Sequence, residues 1–278
     1  MIPKEVLELA EQADVSPRIA ERIWNSNAIN MKDGCICYDF DLIKNSISEA
    51  RKQQIFSAVD SVDSQLSNRD ILQAIKEAVN SIFSIDDIFF GDDYIDYEII
   101  NKIGINNKML YQNNRYHTYA ACHHCYGKVK KIPGKYIVSA HCYRIENEYN
   151  EYRKKDFDMF EIVSFDTDEN LAILGWELIF MIYSILEKSN IIDFQIIAAN
   201  DSFMTEDKEK LLYQMLSKSK IEIVVYSEKY KKNIAVASIN FHRKNFISKF
   251  ELTDDVSINS MCFGIGIDRL KNIVAEYE

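Results

Sequence analysis

Three stretches of the sequence set charge among apolar neighbours in ways that call for a partner. The segment KYIVSAHCYRIE at 135–146 alternates as a β-strand, so Val138, Ala140, Cys142, Arg144 and Glu146 share one face. An apolar face ending in an arginine and a glutamate suits a strand that leaves the core for a polar pocket, where the guanidinium can grip a phosphate through two hydrogen bonds. An exposed strand end carrying a surface ion pair would show the same pattern. After the polar stretch NEYNEYRKK, the segment FDMFEIV puts Phe157, Met159, Glu161 and Val163 on one side. A carboxylate buried alone costs several kcal/mol, so Glu161 needs a cation, a metal or a proton. Arg153, in the turn between the strands, adds a second cation to a loop that could face phosphate. The C-terminal SINSMCFGIGIDRLKNIVAEYE reads as a strand, a turn carrying Gly264 and Gly266, and a helix with Arg269 in its first turns. A helix start offers free N–H groups and a positive dipole end to an anion, although an ordinary strand-to-helix turn contains the same glycines.

The six cysteines are Cys35, Cys37, Cys122, Cys125, Cys142 and Cys262. With no charged-then-apolar leader ahead of them, free thiols or metal ligands are expected rather than disulfides, in a cytoplasmic protein. Cys122, Cys125, His141 and Cys142 have the composition of a structural zinc site, CxxC followed by HC. Strand parity counts against it, because consecutive His141 and Cys142 point to opposite faces. Cys35 and Cys37 read as ordinary buried thiols, and His123, His124 and Cys125 are left without a role.

The elements that must position these residues change character along the chain. Residues 1–65 read as a mainly helical appendage that includes a polar helix over 1–23. NRDILQAIKEAVNSIF at 68–83 has a helix start at Asn68, Arg69 and Asp70 and an apolar face at Ile71, Ile75, Val79 and Ile82. From about residue 95 short β-rich runs follow, interrupted by helices at 170–188 and about 205–218. The apolar run at 171–186 is short for a membrane span and contains Gly175 and Glu177, so it reads as a buried helix. The expected fold over 66–278 is α+β with a mainly antiparallel sheet flanked by helices. Neither GxGxxG after a strand nor GxxxxGK[ST] occurs. A net charge of -10 and a pI near 5.1 provide no basic face for nucleic acid, which disfavours tRNA as a partner. The clusters at Lys128, Lys130, Lys131 and Lys135, at Lys229, Lys231 and Lys232, and at Arg243 with Lys244 read as solvated loop charge.

The strand–loop–strand with Arg144, Glu146, Arg153, Phe157 and Glu161, followed by GIGIDRL with Arg269, resembles motifs 2 and 3 of class II aminoacyl-tRNA synthetases. Within that class, the order AAC at 120–122, YRIE at 143–146, MFEIV at 159–163, ANDSF at 199–203, ASINFHRKNF at 237–246 and SMCFGIGIDRL at 260–270 resembles the amino acid:[carrier protein] ligases. Those are relatives of the catalytic domain of atypical, zinc-dependent seryl-tRNA synthetases. The resemblance covers roughly residues 100–278. It implies ATP-dependent activation of a small amino acid as an aminoacyl adenylate, then transfer to the phosphopantetheine thiol of a carrier protein. Transfer to tRNA, or a non-catalytic paralogue binding amino acid and nucleotide, are the alternatives. The implied zinc ligands are Cys122, Glu161 and Cys262, with a fourth position open to the substrate's neutral amine. Arg144 would hold the α-phosphate and the amino-acid carboxylate, and Arg269 the γ-phosphate end near adenine. Glu146 and Phe157 would position adenine, with Arg153, Gly264 and Gly266 around the nucleotide, Mg2+ on the triphosphate, and Asn240 and His242 lining the amino-acid pocket. A homodimer is implied, and the basic clusters could meet an acidic carrier. The sequence departs from the family in lacking an evident motif 1 proline and the usual arginine before Glu161.

Overall fold

A computed structural model of the chain describes residues 35–66, 71–104, 115–145, 148–201 and 208–277, with 30–32, 111–112 and isolated positions before residue 12. The helix expected over 1–23, the helix start at Asn68, Arg69 and Asp70, Glu146, Ser202 and Phe203 lie outside the described residues, as does the beginning of the helix expected from 205.

Period-2 alternation builds one nine-stranded sheet. In spatial order it runs β1 (Asn30–Lys32), β2 (Cys35–Tyr38), β9 (Phe194–Ala198), β10 (Lys220–Ser227), β11 (Lys232–Arg243), β12 (Ile258–Gly266), β8 (Asp156–Thr167), β7 (Gly134–Tyr143) and β3 (Asp87–Phe90). Neighbours are antiparallel except β3, which runs parallel to β7. A small sheet orders β4 (Tyr94–Asp96), β6 (Arg115–His117) and β5 (Tyr111–Gln112). The α+β architecture with a mainly antiparallel sheet is the one the sequence implied. The reading missed β1, β2 and β3, which have only three or four residues each and so carry little alternation.

The helices are α1 (Phe40–Ser46), α2 (Glu49–Leu66), α3 (Ile71–Ile82), α4 (Tyr97–Ile103), α5 (Asp168–Lys188), α6 (Lys208–Leu216), α7 (Lys244–Phe250) and α8 (Ile267–Tyr277). One face of the large sheet, with Ile137, Phe160, Ile162, Ile239, Met261, Phe263 and Ile265, shares a core with α2, α3, α5 and α8. Thr167 caps the start of α5 by accepting from the Asn170 N–H. Among the described residues α5 is the one helix apolar and long enough to cross a membrane, yet 61% of its most apolar window is buried inside the protein. The two residues that interrupt its apolar run face neighbouring elements. Gly175 faces β11, where a Cβ would make ordinary contact with Ile239 Cδ1 at 3.4 Å. Glu177 receives two hydrogen bonds from Arg51 of α2, at 2.9 and 2.8 Å. Residues 35–66 enter the same sheet and core: Cys37 pairs with Ile197, and Ile43, Ile55 and Val59 are fully or nearly fully buried.

Strand register fixes the opposite face. Val138, Ala140 and Cys142 stand opposite Glu161, Met159 and Phe157. On the other side of β8, Val163, Glu161 and Met159 stand opposite Cys262, Gly264 and Gly266, which are flanked in turn by Asn240 and Ser238 of β11. The two faces inferred from alternation therefore form one surface, which carries Phe157, Glu161, Cys262, Gly264 and Gly266.

Candidate active site

The 3-10 turn Ala121–His124 folds over this surface. The Ala121 N–H donates to Glu161 Oε1 at 2.9 Å and ties the turn to β8. That contact sets Cys122 beside Cys262: Cys122 Sγ, Cys262 Sγ and a ring nitrogen of His242 all lie within 4.8 Å of one another. His242 Nε2 is 3.2 Å from Cys262 Sγ, and Asn240 Nδ2 donates to the same sulfur at 3.8 Å. Cys122 and Cys262 are each 3% exposed and Glu161 2%.

Burial this deep decides where protons sit. Hydrogen bonding from Cys122 holds the Cys262 thiol well below its usual range, with His242 assisting. The same bond, with desolvation, pushes Cys122 well above its range. Desolvation and the charge at Cys262 lift Glu161 to about 8. Without a metal, the cluster therefore carries one thiolate, with protons held on Cys122 and Glu161. Glu161 Oε2 has no hydrogen-bond partner despite its burial. Two sulfurs and an imidazole nitrogen form a donor group that suits zinc, with the Glu161 carboxylate beside Cys122 but outside the group; metal binding would displace those protons.

The rival CHHC group is not assembled. His141 faces outward and binds Asp158 at 2.9 Å, whereas Cys142 is buried on the inner face. Burial raises the thiols of both Cys125 and Cys142. His124 is a packing residue that meets Thr118 Oγ1 at 2.8 Å and covers Gly91, where a Cβ would fall 2.4 Å from the ring. His123 is buried neutral, its pKa pressed to about 3 by desolvation, and its ring stands edge-on to Phe246.

β12 leads away from the cysteine cluster. Cys262, Gly264 and Gly266 lie along its site-bearing face, and the four-residue step from Cys262 to Gly266 spans roughly 13 Å. A Cβ on Gly264 would come within 3.1 Å of Met159 Cε, a tight approach, whereas one on Gly266 would make ordinary contact with Arg269 Cδ at 3.4 Å. Arg269, at the far end, donates from Nε to the Tyr152 carbonyl at 2.7 Å and from Nη1 to the Ala235 carbonyl at 3.4 Å. Just past β7, the Arg144 guanidinium lies 5.0 Å from the centre of the Phe157 ring, and its Nε donates to the Tyr119 carbonyl at 3.2 Å. Arg153 sits on the exposed outside of the loop joining β7 and β8, bridged to Asn150.

Two features escaped the sequence reading. The β7–β8 loop is fastened to α8: Tyr152 donates to Glu276 Oε2 at 2.5 Å, Asn272 donates to the Glu151 carbonyl at 2.8 Å, and Lys154 pairs with Asp268 at 2.8 Å. Beside Asn240, its register partner Lys220 is buried. Burial opposes the Lys220 charge, but Glu222 at 3.0 Å and Asp201 at 2.7 Å outweigh it and raise its pKa. The charged alternation of Lys220 and Glu222 along an apolar strand was the available signal.

A family profile, the core domain of class II tRNA synthetases, matches residues 38–278. The chain belongs to that family. No curated protein matches this class II core. Among solved structures it is similar to M. kandleri seryl-tRNA synthetase, in a complex with A. aeolicus tRNASec, with TM-score 0.56 and 15% identity over 82% of this chain and 52% of that one. Giardia lamblia prolyl-tRNA synthetase, in complex with prolyl-adenylate, gives TM-score 0.54 and 12% identity over 86% and 53%. The class II core thus spans about half the length of each, and at these identities the likeness concerns the fold.

Proposed function

We propose that this class II core joins ATP to a small amino acid as an aminoacyl adenylate, releasing pyrophosphate, and passes the acyl group to the phosphopantetheine thiol of a carrier protein. One observation carries the reading: β12 runs from a cluster of metal-ligand type through Gly264 and Gly266, roughly 13 Å along the strand, to an arginine at a helix start. Cys122, Glu161 and Cys262 would hold zinc, which supplies a Lewis-acid anchor for the neutral amine and so selects amino acids over other acids. Arg144 holds the carboxylate and α-phosphate together, so that the reacting oxygen and phosphorus start in contact. Arg269 takes the γ-phosphate end, Phe157 supplies a stacking surface for adenine, and Arg153 lies on the loop that borders the nucleotide. Asn240 lines the amino-acid side, and Mg2+ accompanies ATP as in other class II synthetases. The acidic chain and its resemblance to carrier-protein ligases favour a protein-borne thiol over tRNA, with the enzyme acting as a homodimer.

ATP–pyrophosphate exchange, screened over the twenty amino acids with zinc present, tests activation; no exchange with any of them would end the enzymatic reading. Transfer of labelled amino acid to a phosphopantetheinylated carrier supports the proposed acceptor. Labelling of tRNA alone would replace it.

A further inference from the structure

We propose that His242 is a resting ligand of the bound metal, with Nε2 occupying the position that the substrate amine takes over. The proposal rests on reading the cysteine cluster as a zinc site. Zinc bonds of about 2.3 Å to sulfur and 2.0 Å to nitrogen give tetrahedral edges of roughly 3.6 Å between sulfur and nitrogen and 3.8 Å between sulfurs. The 3.2 Å between His242 Nε2 and Cys262 Sγ, and the 4.8 Å bound on all three separations, put three donors near the corners of one such polyhedron. Glu161 adjoins Cys122 from outside this three-atom group. Once a metal draws its carboxylate in, the donors number four where an open catalytic zinc keeps three, so one of them must yield to the substrate.

His242 is the ligand built to yield. Cys262 and Glu161 lie within the central strands β12 and β8, and Cys122 is held in a turn pinned by the Ala121 hydrogen bond. His242 instead sits at a register break near the end of β11: Phe241 pairs with Met261 and Arg243 with Ser260, so His242 is passed over by the ladder. Bulges of this kind re-aim a side chain without disturbing the strand before it. The next residue, Arg243, has φ 51 and opens α7. His242 is also only partly buried, unlike the other three, and its ring rests 4.6 Å from that of Phe246.

X-ray absorption at the zinc edge tests this on the full-length, zinc-loaded chain. The expected spectrum contains one imidazole nitrogen at about 2.0 Å, absent from His242→Ala and His242→Gln, both of which keep a full equivalent of zinc with at least tenfold weaker affinity. Saturating glycine, used as the amine probe, should remove the imidazole signal from the wild type and leave a non-imidazole nitrogen. Zinc bound without imidazole in the wild type, or imidazole persisting in His242→Ala, overturns the ligand assignment. Imidazole that stays while the glycine nitrogen also binds overturns displacement alone. A wild type that takes up no zinc overturns the underlying metal reading, and glycine that never reaches the metal overturns its role in holding the amine.

Discussion

Glu161 and Cys262 together give the cluster its pH dependence. Burial and the Cys262 charge raise its pKa from 4.5 to about 8, so the folded, metal-free protein keeps a proton across that window which the unfolded chain has already released. That extra proton is offset by the one Cys262 has given up, because its thiol sits well below its usual range, so the folded and unfolded states bind similar numbers of protons where both shifts apply. Thermal melts of the metal-free wild type should therefore change little with pH across this window, whereas Glu161→Gln, which leaves the Cys262 contribution alone, should become more stable as pH rises. Glu161→Gln should also lose most of the zinc-dependent stabilisation; a Glu161→Gln profile as flat as that of the wild type would contradict the assignment. Metal analysis should find zinc lost from Cys262→Ala but retained in Cys142→Ala, whose sulfur lies outside the cluster. Glu161 was legible in the sequence because a carboxylate in an apolar alternation announces its own cost. His242 entered only through the family resemblance, as a residue lining the amino-acid pocket; its nearness to Cys262 comes from a register break between β11 and β12, and no spacing along the chain encodes that.

At the scale of elements, the β7–β8 loop and α8 act together on Arg269. The Tyr152 carbonyl accepts from Arg269, while the Tyr152 hydroxyl is anchored on Glu276, which also receives the Ser227 hydroxyl at 2.8 Å. Tyr152→Phe removes the anchor and keeps the carbonyl, at a cost of about 1–2 kcal/mol. The expected result in the exchange assay is a several-fold rise in the KM for ATP with zinc content unchanged; an unaltered KM would separate the loop from the positioning of Arg269. Gly264 tests the path along β12. A Cβ there meets the movable end of Met159 at 3.1 Å and makes ordinary contact with Glu161 at 3.5 and 3.7 Å, so Gly264→Val should fold yet lose ATP binding by isothermal titration. Alternation predicted which residues of β7 and β8 share a face, since period 2 is a local property. It could not predict that the loop would close on α8, because Tyr152 and Glu276 are 124 positions apart.

Across the whole molecule, the site-bearing face of the sheet depends on what covers the other one. Arg51 joins the layers: besides its two bonds to Glu177, it donates to the Ile82 carbonyl at 2.9 Å and lies 5.1 Å from the centre of the Phe83 ring. It thereby links α2, α3 and α5. Composition suggested a helical appendage over 1–65, because helices without strand partners look separable in sequence; their burial is a tertiary fact. The separability of that segment has a direct test. Ile36, Ile43, Ile55 and Val59 are each at most 6% exposed, and burying such side chains contributes about 1.5–3 kcal/mol apiece. Their sum is comparable to the 5–15 kcal/mol that typically separates folded from unfolded chains. A chain of residues 66–278 should therefore be unfolded by circular dichroism and inactive in exchange, whereas one starting at residue 35 should melt cooperatively and keep its zinc. If residues 66–278 alone fold and exchange pyrophosphate, the N-terminal segment is an accessory and the layer it forms over α5 is dispensable.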